Sequence, residues 1–478
     1  MNTHLKPLSP AQQYWLLALA LLLLRTLAIV ISPYGLYLEE PYYWSWAQQL
    51  AWGYYSKPPL IAAIIATTTL WSDAVLAVKA GSLLLYPLSG WFVFLCVRRL
   101  SDAQVAWRSA ALFCLLPGIS FSGLIISTDV PLLCCWLACL WLVLRAAQNN
   151  RWYDWLWLGL AFGLGLLAKY SMLLLLPGLL LGWRWLPQSK PRQRYWPGIL
   201  LALFTATLLL LPNLWWNLNH QLSSVEHTIA ISGATQEPWR LAPSGDFLLA
   251  QIALIGPGCA LALLYLLSQL QRLAATPALS WSLIICLPGL LTGLTIAGFG
   301  QANANWLAPV VATLGISCGL WAGHHMRRWG LLLLPNLLLA FTFYLIHSSG
   351  MADQWWQQQP QRHPYKRILG WQDLTHNIAT ISRTQQLECV ISPSREVLAW
   401  LGYLQRQQFM PAQLYSLAPE HGQAENHFDQ ANPLSLIAPA GPCLLVLPQQ
   451  QHALAAQFSP IQWLSNYPRQ WQQAVYDD

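Results

Sequence analysis

Two adjacent carboxylates, Glu39 and Glu40, follow the first long apolar run, in a part of the chain where acids are otherwise scarce. A dense set of aromatics comes next, Tyr42, Tyr43, Trp44, Trp46, Tyr54 and Tyr55, and then a lysine before two prolines, Lys57-Pro58-Pro59. Two more charges stand at the edges of later apolar segments: Asp129 in Ser127-Thr128-Asp129 and Lys169 in Ala168-Lys169-Tyr170. These residue types suit one chemistry. A carboxylate can take the proton of a hydroxyl as it attacks a carbon centre. Lysines can hold a phosphate as point charges and stabilise it as it leaves. Aromatic faces stack on sugar rings and anchor at headgroup level. A lipid-linked sugar phosphate as donor and a hydroxyl as acceptor match this set.

Each residue also has a plainer reading. Glu39 and Glu40 could be solvated loop acids, or favourable charges at the start of a helix over Pro41–Leu50. Lys57 and Lys169 could be snorkelling anchors. Asp129, before Val130-Pro131, has the pattern of a helix N-cap, which is compatible with catalysis. Arg25 and Lys79 read as anchors or bundle partners, and His324 and His325, in a basic loop, as determinants of topology. Most of the 28 tryptophans read as interface belt and packing.

The elements that must position these groups are membrane helices. The chain is 55% hydrophobic and only 9% charged, where a soluble domain carries about a quarter charged residues. Mean hydropathy is +0.39. The pattern predicts a polytopic α-helical membrane protein with apolar segments at 12–32, 75–97, 106–123, 130–147, 153–168, 171–186, 197–216, 247–268, 279–298, 305–323 and 329–348, about eleven spans of near-bilayer length. The first run lacks a small-residue cleavage site and reads as a span. A shorter piece, Pro58 to Trp71, reads as a re-entrant or interfacial helix.

Lys and Arg fix the expected sidedness. With a cytoplasmic N-terminus, the inner loops hold Lys6, Arg98, Arg99, Arg108, Arg145, Arg151, Arg184, Lys190, Arg192, Arg194, Arg272, Arg327 and Arg328. The outer loops before residue 350 keep Lys57 and Arg240, with Lys169 at a helix end. This obeys the positive-inside rule and puts the tail outside, in the periplasm or its equivalent. The +7 formal charge therefore marks membrane loops and gives no sign of nucleic acid. Glu39, Glu40, Lys57, Asp129 and Lys169 then share one membrane face, where costly charges tend to be paired and functional.

From about Met351 the composition turns polar, with strand-like pieces at Leu387–Ile391 and Cys443–Leu447 and a helical one at Arg395–Arg406. The expectation is a transmembrane domain over 1–350, with a catalytic first outer loop at 33–74, and a soluble α/β domain over 351–478. Eight of the ten cysteines lie in apolar segments without metal-ligand spacing and read as small buried hydrophobes. Cys389 and Cys443 stand in the tail, where an oxidising compartment would permit a disulfide; the expectation is that they stay unbonded.

Several motifs resemble those of the bacterial glycosyltransferase family 39 proteins, related to the dolichyl-phosphate-mannose protein mannosyltransferases and the lipid A aminoarabinose transferase. Glu39-Glu40-Pro41-Tyr42-Tyr43-Trp44 is similar to the family's Asp-Glu-Ala-Tyr-Tyr-Trp, and Lys57-Pro58-Pro59-Leu60 to its Pro-Pro-Leu segment. Ser127–Leu132, Leu166–Ser171 and Ala304–Pro309 resemble its Thr-Thr-Asp-Ala-Pro-Leu, Leu-Leu-Ser-Lys-Tyr-Thr and Ala-Asn-Trp-Pro-Ala-Pro. In the tail, Asn426-His427-Phe428-Asp429 resembles a short polar motif of the periplasmic domain.

The resemblance implies a GT-C fold, a polyprenyl-phosphate sugar donor and inverting transfer to an outer-face acceptor, a lipid-linked or lipopolysaccharide glycan. It implies Glu39 as the first catalytic acid, Asp129 as the second, and Lys57 and Lys169 as contacts of the donor phosphate. Tyr42, Tyr43, Trp44, Tyr55, Asn305 and Trp306 would line the substrate pocket. Glu39 stands where the family has Asp, and Pro41 where it has a small residue, so Glu40 could instead be the working acid, or activity could be lost. Metal dependence differs among relatives of this fold, and no metal-ligand cluster is legible here. Protein O-glycosylation is the alternative within enzymes. A lipid-linked sugar transporter is the alternative outside them, disfavoured by the lack of half-repeats and of midplane charges.

Overall fold

The computed structural model describes residues 7–187, 191–232, 239–269, 271, 275–300, 302–359, 362–408, 412–417, 424–434 and 442–447. Lys190 and Arg272, and the tail beyond Leu447, lie outside the described residues. The chain forms two compact units. One holds residues 1–29, 57–61 and 79–345, and the other 30–56, 62–78 and 346–478. The first loop, expected to group with the transmembrane domain, contributes 30–56 and 62–78 to the second unit.

The first unit is helical because its sequence is leucine-rich and its breakers fall between apolar runs. Seven described helices are long and apolar enough to cross a membrane: Pro10–Ile31, Val75–Leu100, Asp129–Asn149, Trp196–Asn219, Pro277–Phe299, Ala304–Ala322 and Met326–Ser349. The count reaches eight if the pair Leu241–Ile255 and Pro257–Leu267, bent by 112°, is one span. The chain is a multi-pass membrane protein.

Three expected spans are interrupted, two of them at a residue that breaks a helix. Pro117 divides 103–122 into Ala103–Cys114 and Pro117–Ser122, since proline lacks the N–H and clashes with the preceding turn. Gly256, at φ 89°, makes the bend before Pro257. The segment after Lys169 runs as a 3-10 turn, Tyr170–Leu174, then Leu175–Gly182, then a second 3-10 turn, Trp183–Trp185. Close approach of backbones binds the bundle. A Cβ on Gly159 would strike the Ala202 carbonyl, and one on Gly178 would lie 2.5 Å from that of Ile285, the small-residue contact that lets membrane helices pack.

The second unit carries a parallel three-stranded sheet of order β2-β1-β3, with β1 Cys389–Ser392, β2 Gln413–Ser416 and β3 Cys443–Leu445. The helix Arg395–Gln408 crosses between β1 and β2, as parallel strands require. A further helix, Trp371–Thr384, was not expected from the sequence; its short apolar stripe buries Trp371, Thr375, Ile378 and Ala379. Register puts Cys389 opposite Cys443, and they form a disulfide. This corrects the expectation of free thiols: adjacent parallel strands bring the two residues to a Cα separation of 4.6 Å, within bridging reach. The segment Pro58–Trp71 contains the helix Leu60–Thr68.

Candidate functional site

In the helical unit, the site builds on Asp129. Thr128 stands at the N-cap position of the helix Asp129–Asn149 without a side-chain capping bond, Pro131 sits in its first turn, and Asp129 is its first residue. A carboxylate there meets the positive end of the helix dipole. Asp129 is 4% exposed. Its Oδ1 accepts from Lys169 Nζ at 2.7 Å and its Oδ2 from Asn305 Nδ2 at 2.7 Å. Partners 40 and 176 residues away thus hold both oxygens.

Each partner is placed by a break in regular structure. Lys169 ends the helix Trp152–Ala168 in an extended conformation, φ −164° and ψ 133°, before the 3-10 turn. Asn305 and Trp306 sit in the 3-10 turn Ala304–Leu307. Gln251 steadies that turn, its Nε2 donating to the Ala304 carbonyl at 3.0 Å. Beside Lys169, the Tyr170 hydroxyl donates to Asn213 Oδ1 at 2.8 Å and accepts from Asn217 Nδ2 at 3.1 Å. Sequence reasoning missed Gln251, Asn213 and Asn217. The signal was there: polar amides inside apolar helices, two of them four residues apart on one helix face. Lys57 is half-buried in the same unit.

In the second unit, Glu39 and Glu40 part company. Glu40 is 0% exposed and accepts from the Tyr37 backbone N–H at 2.5 Å. Glu39 is exposed, at the N-cap of Glu40–Ala47, and its Oε2 accepts from the Tyr43 hydroxyl at 2.8 Å. Local hydrogen bonding thus occupies Glu40 in the turn, while Glu39 presents its carboxylate to solvent.

The aromatics expected in a substrate pocket divide too. Tyr42, Tyr43 and Trp44 are buried, and Tyr55 is half-buried. Trp44 Nε1 donates to Asp73 at 2.8 Å, and Asp73 also pairs with Arg406 at 3.0 Å. Trp46 stacks on Tyr54 at 4.7 Å, and the His427 ring meets Tyr54 edge-on. The His427 backbone N–H donates to the Tyr42 hydroxyl at 2.7 Å. Arg395 lies over the Tyr42 ring at 5.5 Å and pairs with Glu396 at 2.7 Å.

These surroundings move several ionisations. Burial pushes His427 down to about 4 and Tyr54 up to about 12. Burial opposes the Arg395 charge, but Glu396 outweighs it, with help from Tyr42 and Glu39, and the guanidinium is held more firmly protonated than usual. Among the described residues, no group of three or more His, Cys, Asp or Glu could hold a metal ion.

Comparison with known proteins fits this architecture. Residues 56–216 match the family described as dolichyl-phosphate-mannose-protein mannosyltransferase. Over 428 residues the chain is 26% identical to the lipid A galacturonosyltransferase RgtD of Rhizobium johnstonii, a match covering 87% of this chain and 86% of that protein. Its fold is that of ArnT from Cupriavidus metallidurans. The TM-score is 0.62 to the form bound to undecaprenyl phosphate, at 13% identity over 93% of this chain and 94% of that one. It is 0.59 to the apo form, at 14% identity over 94% and 95%. The chain is thus similar over most of its length to a lipid A galacturonosyltransferase, over residues 56–216 to the mannosyltransferase family, and in fold to ArnT.

Proposed function

We propose that the protein is an inverting glycosyltransferase that moves one sugar from a polyprenyl-phosphate donor to a lipid-linked or lipopolysaccharide glycan, most simply lipid A, on the outer face of a bacterial inner membrane. The observation that carries this reading is the Asp129–Lys169–Asn305 cluster, a buried carboxylate fixing a lysine and an amide at the end of an apolar bundle. The relatives add support: one is a lipid A galacturonosyltransferase, and a structural neighbour is bound to undecaprenyl phosphate.

In this reading Lys169 and Lys57 contact the donor phosphate and offset its charge as it leaves. Asp129 keeps Lys169 aimed. Glu39, the exposed acid of the pair, takes the acceptor proton, and Glu40 shapes the turn that presents it. Asn305, Trp306 and Tyr55 face sugar, with Tyr42, Tyr43 and Trp44 as the packed support of the loop. We propose further that all eleven apolar segments cross the membrane, the three interrupted ones included. The N-terminus is then cytoplasmic, 1–350 the transmembrane domain and 351–478 a periplasmic α/β domain that helps bind acceptor.

The test feeds labelled polyprenyl-phosphate sugars to purified protein with membrane extract, comparing wild type with Glu39→Gln and Asp129→Asn. Transfer into the lipid A fraction that both substitutions abolish is the expected result. Label recovered in protein would mean O-glycosylation instead, and undiminished transfer by both variants would remove the site.

A further inference from the structure

Two cations in the helical unit have no part in the chemistry above, and both are sealed: Arg25 is 3% exposed and Lys79 4%. A snorkelling anchor keeps its charged head in water, so neither is one. A charge buried in an apolar bundle is costly and calls for a reason.

The reason lies in the interruption that leads to Asp129. The helix Ala103–Cys114 stops at Pro117, and the short helix Pro117–Ser122 stops at Gly123, five residues before Thr128. Two successive helix ends leave carbonyls without intrahelical donors, each at the negative end of a dipole. Arg25 supplies a donor at the first of these ends, and Lys79 holds the turn just past the second. Arg25 Nη2 donates to the Cys114 carbonyl at 3.1 Å, and Lys79 Nζ to the Leu124 carbonyl at 3.0 Å. Ser82 Oγ adds a longer bond, 3.4 Å, to the Gly123 carbonyl.

Arg25 is itself fixed. Its Nε donates to the Tyr344 hydroxyl at 2.9 Å, and its guanidinium lies 5.6 Å from the centre of the Tyr86 ring. The guanidinium also rests flush on Gly123, where an added Cβ would stand 2.7 Å from Cζ. The Tyr86 hydroxyl lies within electrostatic reach of both Arg25 and Asp129.

We propose that Arg25 and Lys79 are positioning residues for Asp129: Arg25 caps the end of the helix Ala103–Cys114, Lys79 fixes the turn after Ser122, and together they set where the helix Asp129–Asn149 begins. The carboxylate must meet Lys169 and Asn305 at 2.7 Å each. A shift of about 1 Å in such a group can cost on the order of 100-fold in rate. Arg25 acts from a helix more than a hundred residues upstream, without touching the reacting groups. The inference rests on the transferase reading above.

The experiment uses the full chain in lipid nanodiscs, with a labelled polyprenyl-phosphate sugar as donor. Arg25→Met and Lys79→Met should lower kcat about 10- to 100-fold with donor KM little changed, the signature of a contact felt only in the transition state. Arg25→Lys, which keeps a cation able to reach one carbonyl, should recover part of the loss. Hydrogen exchange should quicken in 115–128 and stay unchanged in the remaining helices. Should Arg25→Met fail to fold, Gly123→Ala, which presses a methyl on the guanidinium, carries the same expectation.

Wild-type kcat in both Met variants, with Asp129→Asn inactive, sinks this inference and leaves the transferase reading standing. Parallel changes in kcat and KM with faster exchange throughout the bundle would make the cations general structural supports, which also overturns it. Wild-type transfer by Asp129→Asn removes both the reading and the inference.

Discussion

Asp129 and Glu40 look alike from a distance. Each is a carboxylate sealed from solvent at the first turn of a helix, 4% and 0% exposed. Their partners differ. Asp129 is met by an ammonium and an amide brought from 40 and 176 residues away. Glu40 accepts from a backbone N–H three residues back. A local bond of this kind is what any turn-forming acid makes, and it serves the turn. Long-range side-chain partners gathered on one acid serve something other than the local backbone, since ordering each of them costs entropy that a cap does not need. On this contrast we propose the bundle acid as site and Glu40 as scaffold, with the exposed Glu39 as the loop acid that meets a substrate.

The sharpest way to break this contrast is to remove the bundle acid. Asp129→Ala strands the Lys169 ammonium, whose side chain is 13% exposed, and breaking a buried pair from one side costs about 3–5 kcal/mol. Asp129→Asn keeps the shape and removes the charge, so stability should fall less while transfer falls on the order of 1000-fold, as when a preorganised charge at a reacting centre is lost. Steady-state transfer and thermal unfolding, measured together, check both. Equal activity in Asp129→Asn and wild type would show that long-range pairing marks nothing.

Glu39→Gln and Glu40→Gln are next in size. Loss of a general base costs about 100- to 10,000-fold, so Glu39→Gln should abolish most transfer with an unchanged melting temperature. Glu40→Gln should do the reverse, weakening the fold by about 1–3 kcal/mol through a poorly satisfied buried bond and reducing transfer only as far as the folded fraction falls. An inactive but stable Glu40→Gln would make Glu40 the working acid.

This division shows how far sequence could go. Hydropathy placed all seven described helices that are long and apolar enough to cross a membrane, because a span must satisfy its backbone within itself and so announces itself along the chain. The interruptions at Pro117, Gly256 and Lys169 blurred ends but left the order intact. Asp129 and Lys169 were legible as charges at segment edges. That they touch was not, since a contact over 40 residues has no local signature. The fate of Glu39 and Glu40 turned on a single turn geometry that buries one of two neighbours. Arg25 reads from sequence as an anchor or a bundle partner, and its burial decides for the partner, because sequence gives its depth in the chain and not its distance from water. The helix Trp371–Thr384 escaped because its mean composition is polar, and only its narrow buried stripe betrays it.

A smaller effect tests the second unit alone. The disulfide Cys389–Cys443 closes a separation of 54 residues between neighbouring strands, and a loop of that size is worth about 4 kcal/mol in the chain-entropy account. The double variant Cys389→Ser, Cys443→Ser should therefore speed hydrogen exchange in β1 and β3 while exchange in the helix Asp129–Asn149 stays unchanged. A reductant should act on wild type in the same way. If exchange at Asp129 quickens equally, the two regions are one cooperative unit, and a contrast between their acids cannot be read from separate stabilities.

The smallest effect is a pH dependence confined to the second unit. His427 packs edge-on against Tyr54, at 5.4 Å, and its Nδ1 is sealed without a hydrogen-bond partner among the described residues. Burial lowers its pKa to about 4, against about 6.5 in an unfolded chain. Between these values the unfolded state binds the proton more readily, so stability rises with pH across this window and is lost as pH falls from about 6.5 toward about 4. His427→Phe has no proton to gain, and its exchange in 424–434 should be flatter from pH 7 to pH 5 than that of wild type. Transfer measured at pH 7 should stay close to wild type, because His427 supports the aromatic packing of the loop and carries no charge there. A steep loss of transfer at pH 7 in this variant would mean that the histidine belongs with Glu39 in the chemistry, and that the polar unit holds a site residue its local contacts did not reveal.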